Sequence, residues 1–229
     1  MQPLLVRDLS STNRSNARKE HMSDYYVTPI SDIELFLKEF DKRVDVDWNK
    51  INILDPCAGG NEEIKDECGI KELYHPMSYP TAIHNIFGEC NISTMDIRKD
   101  SLACNQEDYL QIELETRPDL IITNPPFANA VQIIEKALGD IKDNGYVIML
   151  LRLNFFGSKE RKKFFENHMP EWCFVHHKRI SFCDKKDGNG HVQFDKNGNA
   201  KHGSTDSIEY AHFVFRKNYN PEYTKLIVI

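Results

Sequence analysis

Two short segments carry residue types whose order suggests chemistry. The first is Asp55-Pro56-Cys57-Ala58-Gly59-Gly60. An acid followed by small residues lets a backbone turn come close to a bound molecule, because glycine has no Cβ to hold it off. A Gly-Gly turn can also serve structure alone. The second is Thr123-Asn124-Pro125-Pro126-Phe127. Consecutive prolines stiffen the backbone and remove two N–H donors, which leaves carbonyls as the outward-facing groups. With the Asn124 amide and the Phe127 ring beside them, they form a set that accepts hydrogen bonds from an exocyclic amine while a flat ring stacks. The plainer alternative is a rigid loop around a buried phenylalanine. The full tetrapeptide downstream of an Asp-Pro-x-Ala-Gly turn speaks against it.

Groups of this kind need strands that end where they begin. Apolar runs at 51–55 and 119–123 read as buried strands leading into the two segments. A third run, at 145–153, is nearly continuous, as expected where both faces of a sheet are covered. Shorter strands are expected at 92–96, 172–178 and 210–216. Helices are expected at 31–43, 79–87, 131–138 and 158–167. In the first helix Ser31 is the expected N-cap, with Glu34 three residues on, and Ile33, Phe36, Leu37 and Phe40 share one face. This alternation predicts an α/β fold, a mostly parallel sheet closed by a C-terminal antiparallel hairpin. The segment at about 183–205, rich in Gly, Asn and Asp, reads as an insertion in that hairpin. Residues 1–23 are polar without apolar period and read as a flexible tail, leaving 24–229 as one domain. In such sheets ligands bind beyond the carboxyl ends of the strands. Arg152 and Asn154 follow the longest strand there, either lining a substrate mouth or simply ending the strand in polar residues.

The pair of motifs, in this order, resembles the S-adenosylmethionine-dependent N6-adenine DNA methyltransferases, and the small size looks most like the bacteriophage and prophage members. The resemblance runs from about Asp24 to Arg216. It implies a Rossmann-like class I methyltransferase fold, S-adenosylmethionine as cofactor, S-adenosylhomocysteine as product, and no metal. It implies catalytic roles for Asn124, Pro125, Pro126 and Phe127, with Asn124 and Pro125 accepting hydrogen bonds from the target amine. The segment holding Tyr26, Thr28 and Pro29 is similar to the one that closes over the cofactor's methionine end. Asp55, Pro56, Cys57, Ala58 and Gly59 match the cofactor turn. Asp96 and Ile97 match the acidic position that holds the ribose hydroxyls, and Asp108 and Tyr109 the motif that contacts the cofactor's adenine. Phe182 lies where the family places a base-stacking aromatic. Departures are the Gly-Gly-Asn turn in place of Gly-x-Gly, the irregular stretch at 61–77, and the lack of room for a separate target-recognition region. The expected partner is therefore adenine-containing DNA read with low or short-sequence specificity, or with a second chain or self-association supplying recognition. The same fold acting on RNA adenine or a protein glutamine amide is the first alternative. A non-catalytic phage accessory protein is the second.

Composition limits these readings without choosing among them. The chain has 229 residues, 40% hydrophobic and 28% charged, with a net charge of -6. No apolar run approaches the roughly 20 residues of a membrane helix, and no basic-then-apolar leader opens the sequence. Six cysteines include no CxxC pair, so the expected setting is the cytoplasm, that of a bacterial host if the chain is phage-encoded. The acidic total argues against nucleic acid until it is divided. Residues 61–119 hold five basic and thirteen acidic side chains, whereas 152–201 hold eleven basic and six acidic. Lys185 and Lys186, in the insertion, suit phosphate contacts, which position a duplex without reading its sequence.

Overall fold

The computed structural model describes residues 27–61, 75–182 and 208–229. The expected tail, Tyr26, and the insertion with Lys185 and Lys186 lie outside the described residues. Within them, seven strands form one sheet: β1 (Asn52–Asp55), β2 (Asn91–Thr94), β3 (Leu120–Thr123), β4 (Tyr146–Arg152), β5 (Trp172–Val175), β6 (Tyr210–Arg216) and β7 (Lys225–Val228). Their order across the sheet is β2-β1-β3-β4-β6-β5-β7. Only β6 runs against its neighbours, pairing antiparallel with β4 and β5. The mostly parallel sheet and the late antiparallel pair agree with the sequence expectation.

Side chains that alternate along a strand feed two cores. From β4, Ile148 and Leu150 join the core under α1 (Ile30–Asp41) and α2 (Ser78–Phe87). Val147, Met149 and Leu151 join the core under α3 (Ala130–Asp140) and α4 (Lys162–Asn167). Helices thus cover both faces, which explains the unbroken apolar run of β4. The buried residues of α1 are Ile33, Phe36, Leu37 and Phe40, the four that share its apolar face in the sequence.

Three local expectations change. Ser31 does not cap α1. The cap is Pro29, whose carbonyl accepts from the N–H groups of Asp32 (3.2 Å) and Ile33 (3.4 Å). The fourth helix begins at Lys162, because the preceding residues form turns with a Lys162 N–H bond to the Lys159 carbonyl. The strand expected over 172–178 stops at Val175, and β7, unanticipated, pairs parallel with it.

The arrangement matters for function because β1, β2, β3 and β4 all point the same way. Their carboxyl ends bring Asp55, Thr94, Thr123 and Arg152 to one edge of the sheet.

Candidate active site

At that edge the turn after β1 is shaped by two left-handed glycines, Gly59 (φ +65°) and Gly60 (φ +75°). A Cβ on Gly60 would also stand 3.0 Å from Cβ of Leu102. Glycine is therefore required there twice over, by conformation and by space. Across the turn, Asp96 follows β2. Its Oδ2 accepts from Gly59 N–H at 2.8 Å and its Oδ1 from Arg98 N–H at 2.8 Å. The Arg98 guanidinium donates to the Gly60 carbonyl at 2.6 Å, so it ties the two turns together. Nothing in the sequence marked Arg98 for that role.

These turns enclose a cavity of about 390 Å³, in the size range of small-molecule sites. Thr28, the Pro56–Gly60 turn, Asp96, Ile97, Asp108, Tyr109, Asn124 and Pro126 line it. Most of the residues singled out in the sequence therefore share one cavity. Ser78, Tyr79, Ala128, Asn129 and Ile133 also line it and carried no sequence signal. Asp108 caps a short turn, accepting from Leu110 N–H at 3.0 Å. The Tyr109 ring reaches the cavity while its hydroxyl is held by Asp140 at 2.8 Å, and burial raises its ionisation above the ordinary tyrosine value.

Asp55 lies behind the cavity wall, 1% exposed. Its Oδ1 accepts from Cys57 N–H at 3.2 Å, and its Oδ2 is buried without a hydrogen bond of normal geometry. Burial pushes its carboxyl up to about 7, and the Asp96 carboxylate adds to the rise; the Thr123 hydroxyl and Cys57 N–H pull the other way. Burial also drives the Cys57 thiol well up, with Asp55 and Asp96 adding. A thiol shifted in this direction stays protonated at neutral pH.

The Asn124 side chain is oriented from the far end of the chain. Its Nδ2 donates to Oγ1 of Thr28 at 3.0 Å, across 96 residues of sequence. Beyond it, Phe127 lies outside the cavity lining and packs on Tyr210, ring centroids 5.9 Å apart. Phe182 meets the same Tyr210 ring edge-on at 4.8 Å, and the Arg152 guanidinium sits 4.8 Å from the Phe127 centroid. Arg152, Phe127 and Phe182 thus converge on Tyr210, a residue the sequence reading gave no role. Asn154 stands apart from them: it is exposed, and its carbonyl accepts from Gly157 N–H at 2.9 Å. Pro29 caps α1 and Pro125 is buried; neither is among the cavity-lining residues. Among the described residues no group of three or more His, Cys, Asp or Glu side chains is placed to hold a metal.

No family model matches the chain, and no curated protein matches it either. Solved structures do. A Listeria monocytogenes protein assigned as a class I S-adenosylmethionine-dependent methyltransferase superposes with a TM-score of 0.57 at 15% identity, over 89% of this chain. This chain spans 65% of the length of that protein. The fold is that of the class I methyltransferases. A Pyrococcus horikoshii protein assigned as an RNA methyltransferase matches at TM-score 0.52 and 14% identity, over 87% of this chain and 89% of its own. An S-adenosylmethionine-dependent O-methyltransferase from Thermotoga maritima matches at 0.50 and 10%, over 92% of this chain and 71% of its own.

Proposed function

We propose that this chain is an S-adenosylmethionine-dependent methyltransferase acting on the exocyclic N6 amine of adenine in DNA. The observation that carries the reading is the position of Asn124: it directly follows β3, on the wall of the same cavity that the glycine turn and Asp96 line. A methyl acceptor held by Asn124 would thus meet a cofactor held by the turns.

The cavity fits the cofactor on its own terms. The Pro56–Gly60 turn lines the cavity with small residues, so a bound molecule can approach its backbone. Asp96 is an acid at the end of β2 whose two oxygens are each held in place by one N–H, with further acceptor capacity for ribose hydroxyls. Asp108 would hold the adenine end. When bound, S-adenosylmethionine supplies a methyl group on a sulfonium, a leaving group that needs no metal.

The chain's own residues supply the other half. An adenine amine is a poor nucleophile because its lone pair is delocalised into the ring. The Asn124 side-chain carbonyl and the Pro125 backbone carbonyl would each accept one of its N–H bonds and return the lone pair to nitrogen. The amine nitrogen would take the methyl group and release one proton to solvent, with S-adenosylhomocysteine leaving with the electron pair of the broken C–S bond. Alignment of the two reactants contributes much of the acceleration. A base inside a duplex cannot reach such a cavity, so it would swing out and stack on the half-buried Phe127 or Phe182, which the buried Tyr210 ring backs.

The test is transfer of labelled methyl from S-adenosylmethionine to duplex DNA. Label is expected in adenine-containing duplexes and absent from a duplex of guanine and cytosine alone. Asn124→Ala should lower the rate by roughly 100-fold or more with the fold intact. Label in RNA or protein with none in DNA would overturn the substrate assignment. Calorimetry showing no cofactor binding would overturn the enzymatic reading altogether.

A further inference from the structure

We infer that Thr28 is a positioning residue for the methyl-accepting site: its hydroxyl holds the Asn124 amide so that the oxygen, not the nitrogen, is the end turned towards the target amine. This rests on the function proposed above and changes the part assigned to Thr28, which the family resemblance places with the cofactor.

A side-chain amide has two ends of nearly equal size and opposite hydrogen-bonding sense. Only one orientation can accept from an amine; the reverse presents N–H to N–H. Something must therefore choose. Here Nδ2 of Asn124 donates to Oγ1 of Thr28 at 3.0 Å, so the amide oxygen points away from Thr28. The partner is itself immobilised. Thr28 is 2% exposed, and one residue later the Pro29 carbonyl begins α1, whose four buried side chains lie in the core. The contact closes a loop of 96 residues between the segment ahead of α1 and the end of β3. Both residues line the cavity, so the bond is made at its wall.

A threonine that served only the cofactor and one that orients Asn124 differ in what their loss removes. Thr28→Val keeps the shape and deletes the hydroxyl. We expect it to bind S-adenosylmethionine within about 3-fold of the native chain, and to lose single-turnover methyl transfer by roughly 10- to 100-fold, the range of one buried hydrogen bond. Thr28→Ser, which restores the hydroxyl, should recover the rate to within about 5-fold. A second readout does not need turnover. The Asn124 side-chain NH₂ signal in ¹⁵N NMR, assigned by its loss in Asn124→Ala, should exchange with solvent faster in Thr28→Val than in the native chain or Thr28→Ser. Native transfer rate in Thr28→Val, or unchanged amide exchange, overturns the inference. So does a loss of cofactor affinity equal to the loss of rate. If the native chain methylates no DNA, the function proposed above falls, while the amide signal still reports whether Thr28 orients Asn124.

Discussion

At the scale of single residues, Asp55 shows a group whose placement costs stability. Its carboxyl is buried and pushed up to about 7 from a usual 3.8, chiefly by desolvation. A carboxyl raised on folding contributes stability below its unfolded value and loses it as pH rises through the folded one. At pH 8 the native chain therefore holds a buried carboxylate whose Oδ2 lacks a hydrogen bond of normal geometry. Asp55→Asn removes that charge and keeps an acceptor for Cys57 N–H. It should raise stability at pH 8 by on the order of 4 kcal/mol and change little at pH 4, measured by urea denaturation at both values. An equal effect at the two pH values would show that charge burial is not the cause. The turn around Asp55 was legible in the sequence because proline and glycine act on their own backbone. Arg98, Tyr210 and the Thr28–Asn124 bond were not, because their meaning lies in partners distant along the chain.

At the scale of elements, α1 shows where periodicity suffices and where it stops. Its apolar face is set by 3.6-residue spacing, so all four buried positions could be read directly. Its start could not. Ser31 has the right type for a cap, but the chain is already held at Thr28, and Pro29 enters the helix in an extended conformation (φ -58°, ψ 129°). β7 failed for another reason: Lys225-Leu-Ile-Val228 sits at the sheet edge, with Leu226 60% and Val228 63% exposed, so its apolar run did not signal burial. The link from α1 to the sheet is concentrated in Phe36. Its ring stacks on His212 at 4.0 Å and 12°, and meets Phe174 edge-on at 5.1 Å. Phe36→Ala removes all of these contacts from a fully buried site and should cost about 3–5 kcal/mol by chemical denaturation. A loss below 1 kcal/mol would mean that the core closes over the gap.

At the scale of the whole molecule, charge is divided along the chain. The acidic stretch, 61–119, includes β2 and the cavity-lining Asp96 and Asp108, while the basic stretch, 152–201, begins at the end of β4. Net charge alone is therefore a poor guide to what such a chain binds. Titration is divided as well. Under α1, a buried hydrogen-bonded row runs from the Tyr79 hydroxyl to His212 Nε2 (3.0 Å), and from His212 Nδ1 to His176 Nε2 (2.9 Å). In a neutral row each imidazole can donate through one nitrogen and accept through the other. Burial pushes His176 down to about 4 and His212 well below the usual 6.5, each with a smaller push from a neighbouring histidine. Histidines lowered on folding are protonated first in the unfolded chain, so they withdraw stability as pH falls below 6.5. Asp55 acts in the opposite sense between about 7 and 3.8. Among the described residues, Asp55 is the group whose cited shift acts from pH 8 to about 6.5, and through it stability should rise on acidification. Below 6.5 two histidines outweigh one carboxyl by one proton, so stability should fall by about 1.4 kcal/mol per pH unit towards pH 4. The expected profile is a maximum near pH 6.5. In Asp55→Asn the decline on the alkaline side should vanish and the acid slope roughly double, because both histidines then act unopposed. Denaturation midpoints taken from pH 4 to pH 8 in the two proteins decide the matter, and an acid slope unchanged by Asp55→Asn would refute this opposition.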